Sequence, residues 1–299
     1  MLKILFATDG SEAAAEALRL LERLALAVDD AVRVVAVITQ PLPGATVGVD
    51  MATGAWEVLA DLQVREQALL EQAAAEAAGQ LADRGLTVST ELRHGDPAHE
   101  ILQAAEAWEA DLIAVGAQGL TGLERFLLGS VAHNVAKHAR RPVLVARAPA
   151  HDLQRVVVAT DGSEHAVHAL RFAARLPLPA GTGCVVTHVV RPYAPFPGLL
   201  PTDRAEFEAA VREVNRQRHA AAEALTAGEA EVLTLSGKHA RPEVREGDPA
   251  EELLRMAESD GADLIVVGAR GVSLIQGLLI GSVTDRLLKN ASCSVLIVA

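Results

Sequence analysis

The sequence is poor in aromatic residues, and it contains only two cysteines among 299 residues. Cys184 and Cys293 have the spacing of neither a metal site nor a disulfide framework, which indicates two core thiols in a reducing compartment. No hydrophobic run approaches the roughly 20 apolar residues that a membrane-spanning helix needs. The stretch MLKILFATDG is interrupted too early by Asp9 for a secretory signal peptide. We therefore expect a cytoplasmic protein without a membrane partner.

The sequence also lacks an excess of positive charge. Its 27 Lys and Arg face 39 Asp and Glu, which gives a net charge of −12. This charge argues against a nucleic-acid partner and against binding to an anionic membrane surface. The composition is 50% hydrophobic and 22% charged, as is typical of a globular protein. A chain of this length predicts about two domains.

The chain is an internal duplication with a constant offset of 152 residues, as between Asp9 and Asp161. We predict two domains, 1–147 and 153–299, joined by the linker 148–152. The glycine pairs with the same offset are Gly85 and Gly237, Gly95 and Gly247, Gly116 and Gly268, Gly119 and Gly271, and Gly129 and Gly281.

Each copy alternates predicted strands with predicted helices, which favours an α/β fold with a parallel sheet and right-handed crossovers. Ser11 is expected to cap a first helix that runs to about Val28. The five strands predicted in the first copy are 3–7, 31–38, 88–93, 110–115 and 142–146. Those predicted in the second copy are 155–159, 184–190, 242–245, 264–267 and 294–298.

A glycine-rich stretch follows the fourth predicted strand in each copy. The two stretches are GAQGLTGLERFLLGSV at 116–131 and GARGVSLIQGLLIGSV at 268–283, and both follow Gly-x2-Gly-x9-Gly-Ser. Glycines let the backbone approach a phosphate closely, and the N–H groups of a following helix favour negative charge. A simple glycine turn between strand and helix gives the same pattern, so that alternative stays open.

The motif ATDGS occurs at the end of the first predicted strand of each copy, at 7–11 and 159–163. Ligands of parallel sheets bind beyond the carboxyl ends of the strands, so Asp9 and Asp161 are placed to face one. A carboxylate there can accept hydrogen bonds from a ribose or an adenine amino group. The alternative is that Asp-Gly-Ser is turn chemistry ahead of a helix cap.

Together these motifs resemble the universal stress protein family, and the resemblance covers the chain twice. Gly-Asp-Pro at 95–97 and 247–249 adds to it. The resemblance implies two tandem, open parallel-sheet domains of a Rossmann-like fold, similar to the adenine nucleotide alpha hydrolases and related by a pseudo-two-fold axis. The glycine-serine pattern implies the ATP-binding branch of the family, with Mg²⁺ between the phosphates.

The resemblance also assigns roles to individual residues. The residues expected beside adenine and ribose are Ala7, Thr8, Asp9 and Ile38 in the first copy, and Ala159, Thr160, Asp161 and Val190 in the second. The residues expected to hold ribose and phosphates are Gly116, Gly119, Gly129, Ser130 and Val131, and Gly268, Arg270, Gly271, Gly281, Ser282, Val283 and Thr284.

Two differences between the copies fall inside these motifs. Arg270 replaces Gln118, and Thr284 replaces Ala132. The arginine would add a charge and the threonine a hydroxyl contact to phosphate. We therefore expect the second site to bind a triphosphate more tightly than the first.

Other chemistries fit the sequence less well. It has no Walker lysine, and the first strand does not lead to Gly-x-Gly-x-x-Gly, which argues against a P-loop ATPase and a dinucleotide dehydrogenase. His165 and His168 share a helix face but have no visible third metal ligand. No nucleophile and base recur in both halves, so no catalytic or metal-binding residue is assigned. The loops at 41–54 and 192–201 are candidate lids, and the second carries Tyr193 and Phe196.

The expected function is ATP-dependent sensing or regulation in a stress response rather than rapid catalysis. The resemblance implies that the two fifth strands pair within the chain, and a homodimer of whole chains stays open. One alternative is a slow ATPase or a nucleotide-dependent transferase, which would lose phosphate release in an Asp9 and Asp161 double variant. Another is a structural stress module with empty sites, which would bind no nucleotide.

Overall fold

The computed structural model describes residues 1–39, 55–118, 128–147, 152–194, 204–271 and 280–299. The chain divides into two compact units, Met1–Ala148 and Pro149–Ala299. Each unit is an α/β domain with five parallel strands, which confirms the predicted fold class. The candidate lid at 41–54, the second lid from residue 195 onward, Gly119 and the linker residues 148–151 lie outside the described residues.

The two units have the same order of elements. The first contains β1 (Lys3–Ala7), α1 (Glu12–Arg23), β2 (Ala31–Ile38), α2 (Ala55–Asp83), β3 (Thr87–His94), α3 (Pro97–Ala107), β4 (Leu112–Gly116), α4 (Ser130–His138) and β5 (Val143–Ala146). The second contains β6 (Arg155–Ala159), α5 (Glu164–Arg175), β7 (Gly183–Val190), α6 (Arg204–Leu235), β8 (His239–Glu246), α7 (Pro249–Glu258), β9 (Leu264–Gly268), α8 (Ser282–Asn290) and β10 (Ser294–Val298).

The first strand of each unit is central in its sheet. The strand order is β3-β2-β1-β4-β5 in the first unit and β8-β7-β6-β9-β10 in the second. In register, Ile4 lies between Val32 and Leu112, and Val156 lies between Cys184 and Leu264. The winding direction reverses between β1 and β4, and between β6 and β9. Such a reversal opens a crevice at the carboxyl ends of the two strands.

The central strands are buried on both faces, as parallel strands covered by helices should be. Ile4 and Leu5 of β1 are completely buried, and so are Val156, Val157 and Val158 of β6. Helices α5 and α6 pack against each other, and α7 packs against α8. In the described residues no helix has both the length and the apolar character that a membrane crossing requires.

Helix α1 ends at Arg23 rather than near Val28, so that expectation is wrong. Leu24 leaves the helix with extended backbone and a buried side chain. The carboxylate of Asp30 then accepts hydrogen bonds from the backbone N–H of Ala27, at 2.8 Å, and of Leu2, at 2.6 Å. Because Asp30 holds this segment in a turn against β1, the apolar residues after Leu24 cannot continue the helix.

Strand β8 is longer than predicted, since it begins three residues earlier, at His239, and ends one residue later, at Glu246. Pro242 lies inside it, opposite Val186 of β7. Proline cannot donate a backbone hydrogen bond, but β8 ends the strand order of its unit, where a strand tolerates that loss. The proline therefore marks an outer strand and not a strand boundary.

The last residue of the fourth strand is a glycine in both units, and it touches the backbone of a helix. A Cβ atom added at Gly116 would collide with the backbone of Ala13 at the start of α1. One added at Gly268 would lie 2.7 Å from the carbonyl carbon of His165 in α5. These two glycines allow a helix to pack directly on the end of the strand.

We expect Gly116→Ala to destabilise the first unit, because the added methyl must push α1 away from β4. Overpacking of this kind costs about 1–3 kcal/mol. The matched control is Gly79→Ala at an exposed position of helix α2, where a Cβ atom would meet nothing within 4 Å. That change should stabilise the unit by about 1 kcal/mol, since alanine favours a helix over glycine. Urea denaturation of both variants tests this, and an equal midpoint for the two would contradict it.

Candidate functional site

The carboxyl ends of β6, β7 and β9 open into a cleft of 580 Å³ in the second unit. Its lining comes from the end of β6, the end of β7, helix α6 and the glycine-rich stretch with α8. The sequence-predicted residues of the second half all line this cleft, namely Ala159, Thr160, Asp161, Val190, Gly268, Arg270, Gly271, Gly281, Ser282, Val283 and Thr284. Residues that are distant in sequence therefore share one cavity.

One side of the cleft is apolar. It is lined by Val189 and Val190 of β7 and by residues of α6 and α7, among them Ala222, Leu225 and Leu253. Ligand cavities of this kind hold an apolar group such as a base by contact and fix it with a few polar groups. The volume and the lining suit a small organic molecule with one flat, weakly polar part.

Asp161 lies in a tight loop between β6 and α5. Its Oδ1 atom accepts the backbone N–H of Ser163 at 3.0 Å, and Gly162 has a φ of +74°, which favours glycine. A Cβ atom added at Gly271 would collide with Oδ2 of Asp161. Because Gly271 has no side chain, the Asp161 carboxylate can lie against the glycine-rich stretch.

The end of the glycine-rich stretch is tied to the end of β9. The backbone N–H of Gly281 donates to the carbonyl of Ala269 at 2.7 Å, and Ala269 donates to Val298 of β10 at 2.7 Å. These bonds place the first turn of α8 at the mouth of the crevice. The first unit has the same closure, with Gly129 donating to Ala117 at 2.7 Å.

Helices α4 and α8 start without a side-chain cap, since their N-cap residues are Gly129 and Gly281. The N-cap side chains that do accept a backbone N–H in other helices are those of Ser11, Asp96, Ser163 and Asp248. The first N–H groups of a helix have no partner within the helix. In α8 these donors are next to the cleft, where an anion can take the place of the missing cap.

Three arginines line the cleft, and two of them were not predicted from the sequence. Arg191 follows β7, Arg218 lies on α6, and Arg270 was expected. The residues 152 positions earlier are Thr39, Glu66 and Gln118. A position-by-position comparison of the charges in the two copies would have found Arg191 and Arg218. The motif search missed them because neither lies in a motif.

The rim of the cleft beside β7 is held by polar contacts. Arg191 forms an ion pair with Asp248, the N-cap of α7, at 2.7 Å, and Arg286 pairs with the same carboxylate at 2.7 Å. Burial alone would raise the pKa of Asp248, but backbone hydrogen bonds and the two arginines lower it. Arg218 donates to the carbonyl of Arg191 at 3.3 Å and lies over the Tyr193 ring. The segment after β7 is therefore fastened to both α6 and α7.

Thr284 lines the cleft, but its hydroxyl has a different role from the predicted one. Its Oγ1 atom donates to the carbonyl of Gly268 at 2.9 Å, and the residue is 2% exposed. A phosphate needs hydrogen-bond donors, and this hydroxyl proton is already used. The structure therefore corrects the expected phosphate contact: Thr284 fixes α8 to the end of β9.

The histidines near the cleft differ in their surroundings. His165 and His168 contact edge to face at 6.4 Å between ring centres. Burial and the charge of Arg270 lower the pKa of His165, so its ring is neutral at neutral pH. Among the described residues no group of three His, Cys, Asp or Glu side chains is arranged to hold a metal. His188 lines the cleft, and its Nδ1 donates to the carbonyl of Thr160 at 2.9 Å.

The described part of the first half repeats the aspartate loop and the helix start of the second half. Asp9 Oδ1 accepts the N–H of Ser11 at 3.0 Å, and Ala7 and Ile38 are the last residues of β1 and β2. Ser130 and Val131 begin α4. The predicted residue Gly119 lies outside the described part of the chain.

A buried carboxylate lies beneath the cleft. Glu229 of α6 is 7% exposed, and its Oε1 accepts the hydroxyl of Thr160 at 3.0 Å. Burial raises the pKa of Glu229, the hydrogen bond from Thr160 lowers it, and the negative charge of Asp161 raises it again, with a net rise. The folded unit therefore favours the protonated carboxyl.

The comparisons with known proteins all give the same family. The family model of the universal stress protein family matches residues 1–147 and again 153–299. Universal stress protein MJ0531 of Methanocaldococcus jannaschii is 39% identical over 149 residues, which are 49% of this chain and 82% of that protein. A universal stress protein of Mycolicibacterium smegmatis is 32% identical over 72% of this chain and 69% of its own. A solved universal stress protein of Archaeoglobus fulgidus has a TM-score of 0.64 at 22% identity, and the match covers 99% of this chain and 97% of that chain.

We expect Glu229→Gln to stabilise the second unit more at high pH than at low pH. A carboxyl group whose pKa is raised by folding contributes favourably below its unfolded value, and the contribution is lost as pH rises through the folded value. Relative to the variant, the wild type should be less stable at about pH 8 than at about pH 4, because folding raises the pKa of Glu229. Denaturant unfolding at both pH values measures it, and a difference independent of pH would contradict it.

Proposed function

The chain belongs to the universal stress protein family, and we propose that it binds an adenine nucleotide in the cleft of its second half. The nucleotide is ATP with Mg²⁺ between its phosphates. The base lies on the apolar side near Val190, and Asp161 accepts hydrogen bonds from the adenosine part. The phosphates lie at the first turn of α8.

The observation that carries this proposal is the uncapped start of α8 beside Asp161. Its N-cap residue, Gly281, has no side chain that could accept the N–H groups of the first turn, and Arg270 lines the same cleft. Backbone donors and a cation suit the phosphate end, while a carboxylate suits hydroxyl and amino donors. Both kinds of group line one cavity, as the two parts of a nucleotide require.

We extend the proposal to the first half, where Asp9 and the uncapped start of α4 recur. The first-half residues proposed to contact the nucleotide are Ala7, Thr8, Asp9, Ile38, Gly116, Gly119, Gly129, Ser130 and Val131. The chain would then hold up to two nucleotides.

The proposed role is sensing or regulation in the cytoplasm rather than rapid catalysis. A ligand that binds the folded cleft stabilises it and favours one surface that a partner can recognise. Pairing of β5 with β10 within the chain stays a prediction, as does a homodimer of whole chains.

A slow ATPase is the second candidate, and His188 favours it. Its Nδ1 atom donates to a backbone carbonyl, so the neutral ring keeps Nε2 as an acceptor and a base. The corresponding residue of the first half is Ala36. Steady phosphate release that is lost in both His188→Ala and the Asp9 and Asp161 double variant would favour this candidate.

The proposal predicts that the protein retains nucleotide during purification. The protein is purified without added nucleotide and denatured, and the released molecules are identified and counted by chromatography. Close to two ATP per chain supports two sites and slow or absent hydrolysis, and one per chain supports divergent halves. ADP or AMP would favour the ATPase. Nothing released, followed by no binding in a titration with ATP, would overturn the proposal.

We predict that the second site binds ATP more tightly than the first. Gly129→Ala and Gly281→Ala are matched variants, since the added Cβ atoms would lie 3.3 Å and 3.4 Å from their nearest neighbours. Each added Cβ presses on the backbone of its own glycine-rich stretch at the helix start and leaves the other site intact. The Gly129→Ala chain should retain an affinity roughly tenfold higher than the Gly281→Ala chain, about the effect of one charge-assisted contact.

The control for this comparison is Arg270→Gln in the Gly129→Ala chain, which gives the second site the residue of the first. It should remove most of the difference, because Arg270 is the cation beside the α8 start. Calorimetric titration measures all three affinities. Equal residual affinities of the two glycine variants would contradict the prediction.

A further inference from the structure

The second half contains a buried polar cluster beneath the floor of its cleft. It consists of Thr160 after β6, Thr187 of β7 and Glu229 of α6, which are 6%, 1% and 7% exposed. Thr160 and Thr187 also line the cleft. The cluster therefore runs from Glu229 of α6 to the surface of the cleft, where a ligand would bind.

Thr160 connects Glu229 to the loop that carries Asp161. Its Oγ1 atom donates to Glu229 at 3.0 Å and accepts the backbone N–H of Gly162 at 3.2 Å. The next N–H along the chain, that of Ser163, donates to Asp161. One hydroxyl thus joins the buried carboxyl to the loop at the ligand side of the cleft.

Among the residues that the structure describes, Oε2 of Glu229 and Oγ1 of Thr187 have no hydrogen-bond partner. An unpartnered, buried carboxylate oxygen is costly when the group is ionised and less so when it is neutral. The Asp161 charge acts in the same direction, since it raises the pKa of Glu229. The negative charge of Asp161 in the loop therefore disfavours ionisation of the buried Glu229 carboxyl.

The first half shows that the loop does not need this carboxyl. The residues 152 positions earlier are Thr8, Val35 and Ala77, and the last two are buried. Thr8 still accepts the N–H of Gly10 at 3.2 Å, and Asp9 still accepts that of Ser11. Since alanine fills the position of Glu229, a structural requirement does not explain the glutamate.

We propose that Glu229 is a proton-linked positioning residue, so that the second-half cleft binds an anionic ligand more tightly when Glu229 is protonated than when it is ionised. The inference rests on the nucleotide function proposed above. An ionised Glu229 adds a second negative charge beside Asp161, and it opposes the entry of phosphates. Ligand binding in turn favours the proton on Glu229, by reciprocal linkage.

The other charged and titratable groups around the cluster fix the direction of this effect. Asp161 faces the cluster from the loop before α5. His188 of β7 donates from its Nδ1 to the backbone carbonyl of Thr160. Arg191, Arg218 and Arg270 line the cleft and attract the ligand at every pH in the working range. The affinity should therefore fall as pH rises through the pKa of Glu229, while the arginine contribution stays constant.

The test is calorimetric titration of the full chain with ATP and magnesium between about pH 5.5 and about pH 8.5. From low to high pH, the wild type should lose roughly tenfold more affinity than Glu229→Gln, because ionised Glu229 adds a negative charge beside Asp161. The titrating phosphate of ATP and the histidines affect both proteins equally, so the difference isolates Glu229. Titrations in buffers of unlike protonation enthalpy should show extra proton uptake in the wild type.

Two further variants exclude a merely structural effect. Glu229→Ala carries the residue that the first half uses, and its affinity should change with pH as little as that of the glutamine variant. Glu223→Gln changes an exposed glutamate of the same helix and should keep the wild-type profile.

Parallel pH profiles for the wild type and Glu229→Gln would overturn this inference alone. Absence of ATP binding in all variants at all pH values would overturn the proposed function and the inference together.

Discussion

The cleft depends on the close approach of a helix backbone to Gly268, the glycine that ends β9. The backbone of α5 at His165 and Ala166 occupies the space that a side chain at Gly268 would fill. This contact sets where α5 begins, and hence where the Asp161 loop lies. The carbonyl of the same glycine accepts the hydroxyl of Thr284, which sets the position of α8. One residue without a side chain thus fixes both the carboxylate and the helix start, between which the cavity opens.

The glycines of the repeated pattern serve three different physical needs. Gly268 permits helix packing, Gly271 leaves room for the Asp161 carboxylate, and Gly281 begins α8 without a side-chain cap. The pattern is therefore more than a flexible phosphate loop. A substitution at Gly268 collides with the backbone of α5, whereas one at Gly281 makes only a close contact with the backbone of Ala269 and Arg270. Loss of binding alone would not distinguish these causes, but loss of stability would.

The sequence predicted those parts of the structure that depend on local chemistry. Strands β1, β2 and β6 have the predicted bounds, and the motif residues of the second half meet in one cleft. The end of α1 was missed because Asp30 bonds to Leu2, which is 28 residues away. Arg218 was missed because α6 is a 32-residue helix whose orientation over the sheet is not encoded in a short motif. The role of Thr284 was misjudged because only the fold shows that Gly268 supplies its acceptor.

Duplication explains how two halves can share one backbone arrangement and differ in the charge of the residues around it. The backbone contacts that build the cleft recur in both halves, at Gly116 and Gly268 and at Gly129 and Gly281. Side chains that line the cleft without building it have changed, as Glu66 and Arg218 illustrate. Glu229 lies beneath the lining and has changed as well, and its buried carboxyl lowers stability where Ala77 would not. The first half shows that the fold accepts alanine at the position of Glu229, and an ionised carboxyl there is unfavourable. Glu229 therefore acts on the charge of the cleft beside it rather than on the architecture. The first half is thus the internal reference against which the chemistry of the second can be measured.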